Sequence, residues 1–492
     1  MSENQGERRA DATHSGSMRS TVIRALRWYA GIRYLGQLFT WGITIVVIRL
    51  LTPEDYGLIA MASILIGLAI MVGEVGIGGA LIQSPKLDNA TVRKLFGFLI
   101  ITNVPLYILV FILSPIFASF FNADKLTHII RILDFQVLIS VFSVIPIALL
   151  KRQMDFKQLA FIELAAAIIG SLTALGMAWY GFGVWSLVAS NLATTMVLTL
   201  SAIFIVGLPQ WPSFRFGGIR SQLAFVARIV ASSFVSFLYT QSDTIIIGRI
   251  IGSTQLGYYT VANNIALLPM NKFTTIMSSV SFPAYSQIRH DKDKIQNYFL
   301  RSLEINLFIF TPFLWGISSI SKDLIDLVLG DRWGSAVVVL QIISLIVPLR
   351  MLSPLVQAML LGIGRVEITL RNVFTNLMIV PPALLIGTQW GLSGVCFGWV
   401  IGFSVAFPIN LRRTFLELDL HPKEFWILTR ATFVCAATMY VAAMGANHYL
   451  LDGLEQIPRL VLSVSIGAAV YTCLSLVLNR GCVERTWGLI KG

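Results

Sequence analysis

Apolar runs broken by short polar punctuation succeed one another along this chain from residue 34 to residue 479. Fourteen such runs can be drawn, near 34–51, 56–82, 95–120, 129–150, 158–180, 182–207, 222–250, 256–283, 298–320, 335–361, 367–388, 391–411, 426–446 and 458–479. A bilayer's hydrocarbon takes about twenty apolar residues per helix. The pattern therefore predicts an all-α polytopic membrane protein of about 14 transmembrane helices. Three divisions rest on tight turns alone, near Gly181–Gly183, 252–257 and 388–391. No connection between runs is long enough for a soluble domain.

Composition agrees with the pattern. Of 492 residues, 56% are hydrophobic and 13% charged, against about a quarter charged in soluble domains; the mean hydropathy is +0.76. The N-terminal stretch "MSENQGERRADATHSGSMRS" is polar and has no apolar core, so it reads as a cytoplasmic lead-in rather than a signal peptide. Lys and Arg orient the spans. With the N-terminus inside, cytoplasmic segments hold 27 basic residues and outside connections 7. That asymmetry places both termini in the cytoplasm. It also accounts for the net charge of +12 by attraction to an anionic inner leaflet, without nucleic acid as a partner.

The chain repeats itself in one direction. At an offset of 200, Thr44, Ile45, Arg49 and Gly57 fall on Thr244, Ile245, Arg249 and Gly257. At 207, Pro105 falls on Pro312 and Ser114 on Ser321; at 210, Tyr180-Gly181 falls on Trp390-Gly391. Six helices is an even number, so the second copy enters the membrane as the first does. Parallel repeats of this kind relate by an axis along the membrane normal. The expected organisation is a polar tail at 1–30, a first lobe at 31–210 (helices 1–6), a second at 211–415 (helices 7–12), and a trailing pair, helices 13–14, with the cytoplasmic C-terminus at 416–492.

A resemblance adds to this reading. "RLLTPEDYGL" after the first span and "GEVGIGGALIQ" closing the second are similar to the polysaccharide transporter branch of the MOP flippase superfamily. "DTIIIGRIIGSTQLGYY" and the later "SFPAYS" resemble Wzx-type oligosaccharide flippases. Within that branch the likeness is to exopolysaccharide exporters of the colanic acid, succinoglycan and xanthan type, over roughly residues 25–425. It implies a V-shaped pair of bundles around a cavity. It also implies translocation of undecaprenyl-diphosphate-linked oligosaccharide across the bacterial inner membrane by alternating access, for exopolysaccharide or lipopolysaccharide biosynthesis. A polysaccharide polymerase and export machinery would act downstream.

Ionisable residues inside spans cost several kcal/mol, about 3 upward, so those present call for a partner or a use. Lys272 and Arg350 lie deep in spans 8 and 10, and could supply cations to a diphosphate or pair with buried acids. Arg49 and Arg249 close spans 1 and 7, where each can cap a helix end or line a cavity rim. Arg228 lies nearer the inner end of span 7. Asp243 and Glu74 have no local partner, and can pair with a distant base or carry a coupling proton or Na⁺; the coupling source, membrane potential included, stays open. Gln241, Asp243, Asn263 and Asn264 would form a polar wall for sugar hydroxyls. Arg131 with Asp134, and Arg301 with Glu304, stand at i,i+3 and are expected to pair. Gly391, Gly394, Gly398 and Gly402 form a small-residue stripe for close helix packing. Pro105, Pro146, Pro312 and Pro348 interrupt four spans.

Enzymatic chemistry finds little foothold. Cys396, Cys435, Cys473 and Cys482 show no metal-ligand spacing, and the five histidines are scattered, so no catalytic residue, metal site or cofactor is expected. Asp291-Lys292-Asp293 spells a DxD motif, yet without a nucleotide-binding domain around it. The rival readings are a lipid II flippase or multidrug antiporter of the same superfamily and, from another class, a membrane glycosyltransferase or polymerase. A cationic-drug antiporter calls for a more acidic cavity, and a polymerase for a large outside loop.

Overall fold

The computed structural model describes residues 36–75, 78–79, 81, 88–153, 155–207, 211–215, 220–451 and 453–491, and these contain helices and turns but no strand. In chain order the long helices are α1 (Gly36–Leu50), α2 (Pro53–Glu74), α3 (Asn89–Phe121), α4 (Lys125–Arg152), α5 (Phe156–Trp179) and α6 (Val184–Val206). Then come α7 (Arg220–Ile250), α8 (Ser253–Gln287), α9 (Lys292–Ser319), α10 (Ser335–Gly362), α11 (Val366–Gly387), α12 (Gly391–Glu417), α13 (Pro422–Tyr449) and α14 (Gln456–Leu478). A last helix, α15, covers Arg480–Lys491. Each predicted span thus has its helix.

Length and composition alone credit fewer spans than the hydropathy pattern does. Among the described residues nine helical stretches are long and apolar enough to cross a membrane, ten if α9 and the bent helix Ser321–Val328 count as one. The differences have local causes. α1 is short in the described chain, and α11 and α12 run on as one 52-residue stretch. α7 and α8 are 31 and 35 residues long but more polar than most of the other long helices.

Helix ends follow familiar capping chemistry. Asp155 accepts from the Gln158 amide at 3.1 Å ahead of α5, and His421 with Glu424 forms a capping box on α13. Asp291, the first residue of the DxD motif, caps α9 by accepting from the Lys294 amide at 3.1 Å. Hydrogen bonds from Lys294 hold that carboxylate below the usual aspartate range. The tight turns sit on glycines with positive φ: Gly181 at 79° and Gly391 at 67°, the two that coincide at an offset of 210.

The chain divides into two compact units. One comprises Leu65–Pro115, Thr127–Val230 and the chain up to Leu51; the other comprises Thr52–Ile64, Ile116–Leu126 and Ala231–Gly492. In the first, α5 and α6 meet where Gly170 leaves no room for a Cβ beside Thr194, and Ser190 donates to the Gly170 carbonyl at 2.8 Å. In the second, the glycine stripe of α12 packs on α11. A Cβ on Gly394 would stand 2.1 Å from the Gly387 carbonyl oxygen, and one on Gly398 2.7 Å from that of Ala383. Without a hydrophobic drive between helices in lipid, such close backbone approach supplies the attraction. The core of this unit is aromatic, with Phe299, Phe403, Phe407, Phe415 and Phe425 buried together.

Outward-facing positions are apolar, as lipid requires. Phe204 is 91% exposed. Trp179, Tyr180, Trp390 and Tyr449, all at span ends on the predicted outer side, are exposed as well, the placement of an interfacial aromatic belt.

Two expected ion pairs are replaced by others. Arg131 donates to the Ser114 hydroxyl at 3.0 Å and lies 4.4 Å over the Phe111 ring, leaving both carboxylate oxygens of buried Asp134 without a hydrogen-bond partner among the described residues. Asp134 joins two helical segments with its backbone still in the right-handed helical region, and Arg131 turns instead to Ser114 and Phe111 of α3. Glu304 is bonded at 2.6 Å by Arg485 from α15, not by Arg301. A buried carboxylate takes the cation that can reach into its niche, and Arg301 is exposed.

Candidate functional site

The second unit gathers a polar cluster where α7, α8, α10 and α12 meet. α10 is interrupted at one residue: the segments Ser335–Arg350 and Leu352–Gly362 join at Met351, whose backbone stays in the right-handed helical region. Pro348 and Pro354 frame this one-residue break, each lacking an amide to donate. Arg350 is half-buried at this break, its Cζ 4.0 Å from the centroid of the Trp399 ring. Its Nη1 is buried and has no hydrogen-bond partner among the described residues. A guanidinium over an indole face is a favourable cation–π contact.

Trp399 is 1% exposed and anchors the cluster. Its Nε1 donates to the Tyr259 hydroxyl at 2.8 Å, which donates to Asp243 Oδ2 at 2.6 Å. The other oxygen of Asp243 accepts from the Thr244 amide at 2.7 Å and its hydroxyl at 3.2 Å. Asp243 is buried with both oxygens engaged, so it acts here as the fixed end of a Trp–Tyr–Asp chain. Tyr239 packs edge-on against Trp399, with centroids 6.0 Å apart.

Beside this cluster lies a cavity of about 220 Å³, whose wall includes Tyr239 and Thr240 of α7, Gln357 of α10, Thr369, Asn372 and Asn376 of α11, and Asn410 of α12. Asn410 Nδ2 donates to Asn376 Oδ1 at 2.8 Å. Arg413 donates to Asn372 Oδ1 at 2.9 Å and to Thr375 Oγ1 at 3.2 Å.

The other sequence-predicted residues fall elsewhere. Arg249 is exposed and caps α3: its Nη1 donates to the Phe120 carbonyl and, at 3.2 Å, to Asn122 Oδ1. Asn122 has φ 52°, ending that helix in the left-handed conformation. Arg49 is exposed near the end of α1. Glu74 lies on a π-helical turn, Met71–Val75, accepts from the Ser140 hydroxyl, and lines a cavity of the first unit together with Ser143 and Lys151. Gln241 and Asn263 are half-buried and Asn264 exposed. Lys272 and Arg228 stand on helical backbone, and their side chains lie outside the described residues.

Arg350 is thus the predicted residue that the fold brings into a cluster with Asp243, through Trp399. Tyr259, Trp399 and the amides of α11 and α12 escape sequence reasoning. The signal was there in part: Asn372 and Asn376 stand at i,i+4 inside an apolar span, which puts them on one helix face.

Comparison with known proteins agrees with this architecture. The chain is 24% identical to the lipopolysaccharide biosynthesis protein WzxC of Escherichia coli (strain K12), over 92% of this chain and 88% of that protein. It is 22% identical to the succinoglycan biosynthesis transport protein ExoT of Rhizobium meliloti (strain 1021), over 94% of each. Among solved structures, lipid II flippase MurJ in an inward closed conformation superposes with a TM-score of 0.71 at 16% identity, over 92% of this chain and 99% of that one. Residues 46–338 match the family model described as "Polysaccharide biosynthesis protein", and the chain belongs to that family.

Proposed function

We propose that this membrane protein is a flippase for undecaprenyl-diphosphate-linked oligosaccharide repeat units, moving them from the cytoplasmic to the periplasmic leaflet of the bacterial inner membrane. Its relatives bear the names of lipopolysaccharide and succinoglycan biosynthesis, and it shares its fold with a lipid II flippase. The observation that carries the reading is Arg350: a half-buried guanidinium at a helix break, stacked on Trp399, with a buried donor left unfilled. Charge-assisted hydrogen bonds to a phosphate are the strong ones, and a planar guanidinium suits them in pairs. Lys272, deep in span 8, joins it on sequence grounds. The lobes 31–210 and 211–415 exchange access, both termini stay in the cytoplasm, and the product is handed to a polysaccharide polymerase and export machinery. No step of this account requires catalysis.

A deletion strain tests the reading. Loss of a flippase leaves full-length lipid-linked repeat units on the cytoplasmic side and no polymer outside. Truncated repeat units in that strain would point to a glycosyltransferase instead.

A further inference from the structure

The cavity beside the Arg350 cluster has a wall that hydrocarbon alone does not explain. Gln357, Asn372, Asn376 and Asn410 place four amides around it, joined by the hydroxyls of Thr240 and Thr369. Polar groups in an apolar bundle cost free energy unless they are paired. Here the pairing is incomplete: Thr369, only 8% exposed, has no partner for its hydroxyl among the described residues, and neither does Asn410 Oδ1. Donors and acceptors are therefore set in the wall for something other than the protein.

The chemistry of that occupant is constrained by what the wall carries. Its described residues include no carboxylate, which argues against a cation, and no basic side chain, which argues against a phosphate. The nearest charge in the network, Arg413, donates to Asn372 and Thr375. Amides both donate and accept, and so match hydroxyls that do the same. Tyr239 and Phe407 add two aromatic rings to the wall, surfaces for the C–H face of a pyranose. At about 220 Å³ the space is below the roughly 300–1,000 Å³ of pockets for drug-sized ligands, a size that suits a single sugar ring.

We propose that this cavity is a subsite for a single neutral sugar ring of the lipid-linked glycan, separate from the diphosphate contact at Arg350. The proposal rests on the flippase reading and deepens it. Selection at this subsite is for an uncharged residue, because a uronate brings a carboxylate to a wall whose described residues include no cation.

Binding by the full-length protein in lipid nanodiscs tests it, using methyl glucoside, methyl galactoside and methyl N-acetylglucosaminide as probes and saturation-transfer NMR as the readout. At least one neutral glycoside should bind saturably, and methyl glucuronide at least tenfold more weakly. Asn376→Leu and Asn410→Leu should weaken that binding at least tenfold, and Thr369→Val about threefold, in protein that melts within a few degrees of wild type. Arg350→Ala should leave glycoside binding within twofold while losing export. If the Leu variants fail to fold, Thr369→Val, the milder change, decides. Wild-type binding by the variants, absence of any neutral glycoside signal, or equal binding of the glucuronide would each overturn the subsite. The flippase reading is scored separately by polymer export from a complemented deletion strain, so its failure shows even where a glycoside binds.

Discussion

Gly57 and Gly257 each press on the other's copy of the same helix start. A Cβ on Gly57 would stand 1.8 Å from the Ser253 carbonyl oxygen, and one on Gly257 1.7 Å from that of Pro53. Pro53 and Ser253 are themselves 200 residues apart, so the contact is reciprocal, as at an isologous interface. The first turns of α2 and α8 thus meet through residues that coincide at an offset of 200. Tyr56 and Tyr258 close the same junction by packing edge-on against Trp333, with centroids 5.6 and 5.9 Å away.

Gly57→Ala and Gly257→Ala should each destabilise the protein by about 1–3 kcal/mol, the usual range for overpacking, because the obstructing atoms are backbone and cannot swing aside. Gly42→Ala and Gly176→Ala, where a Cβ meets nothing within 4 Å, should be neutral. Thermal unfolding of purified protein in detergent, read by fluorescence-detected size exclusion, makes the comparison.

The C-terminal helix α15 should be needed for stability through one contact. Arg485 meets a Glu304 whose side chain is 4% exposed, and Arg485→Ala strands that carboxylate. The expected cost is about 1–3 kcal/mol, below that of a fully buried pair because Arg485 is itself half-exposed. Adding Glu304→Gln should recover most of the loss. A double-mutant cycle on melting temperature checks the coupling.

Arg249 and Arg350 should differ in kind. Arg249→Ala removes a cap on the Phe120 carbonyl, and should lower stability by about 1 kcal/mol with export largely kept. Arg249→Gln should fall between, since an amide can still donate. Export normalised to membrane protein level separates this stability loss from a transport defect.

Much of the fold was legible because a membrane rewards one pattern. The apolar runs contain helices, nine or ten described stretches being long and apolar enough to cross a membrane, and the glycines at the tight turns near 181 and 391 have the positive φ that such turns use. The offset-200 match pointed to a contact the structure makes. Side-chain partners were less legible. Arg131 and Asp134 have the right spacing to pair, but Arg131 finds Ser114 and the Phe111 ring on α3 instead, partners that spacing along one helix does not encode. Glu304 found its cation 181 residues away, a distance that no local pattern encodes. Of the candidate site, the deep arginine was readable from the cost of its charge. Trp399 and Tyr259 were not, because an aromatic residue in an apolar span is ordinary until its polar atom is seen to have a partner.

The central claim is that Arg350 receives the diphosphate of a flipped lipid. Proteoliposomes holding purified protein, loaded with a fluorescent undecaprenyl-diphosphate-linked oligosaccharide, allow flipping to be followed by quenching from outside. Wild type should accelerate flipping. Arg350→Lys should keep part of the rate, and Arg350→Ala should fall at least tenfold with the melting temperature unchanged, since a lost charge-assisted contact is worth about 1.5–3 kcal/mol. Flipping by Arg350→Ala at the wild-type rate would contradict the account.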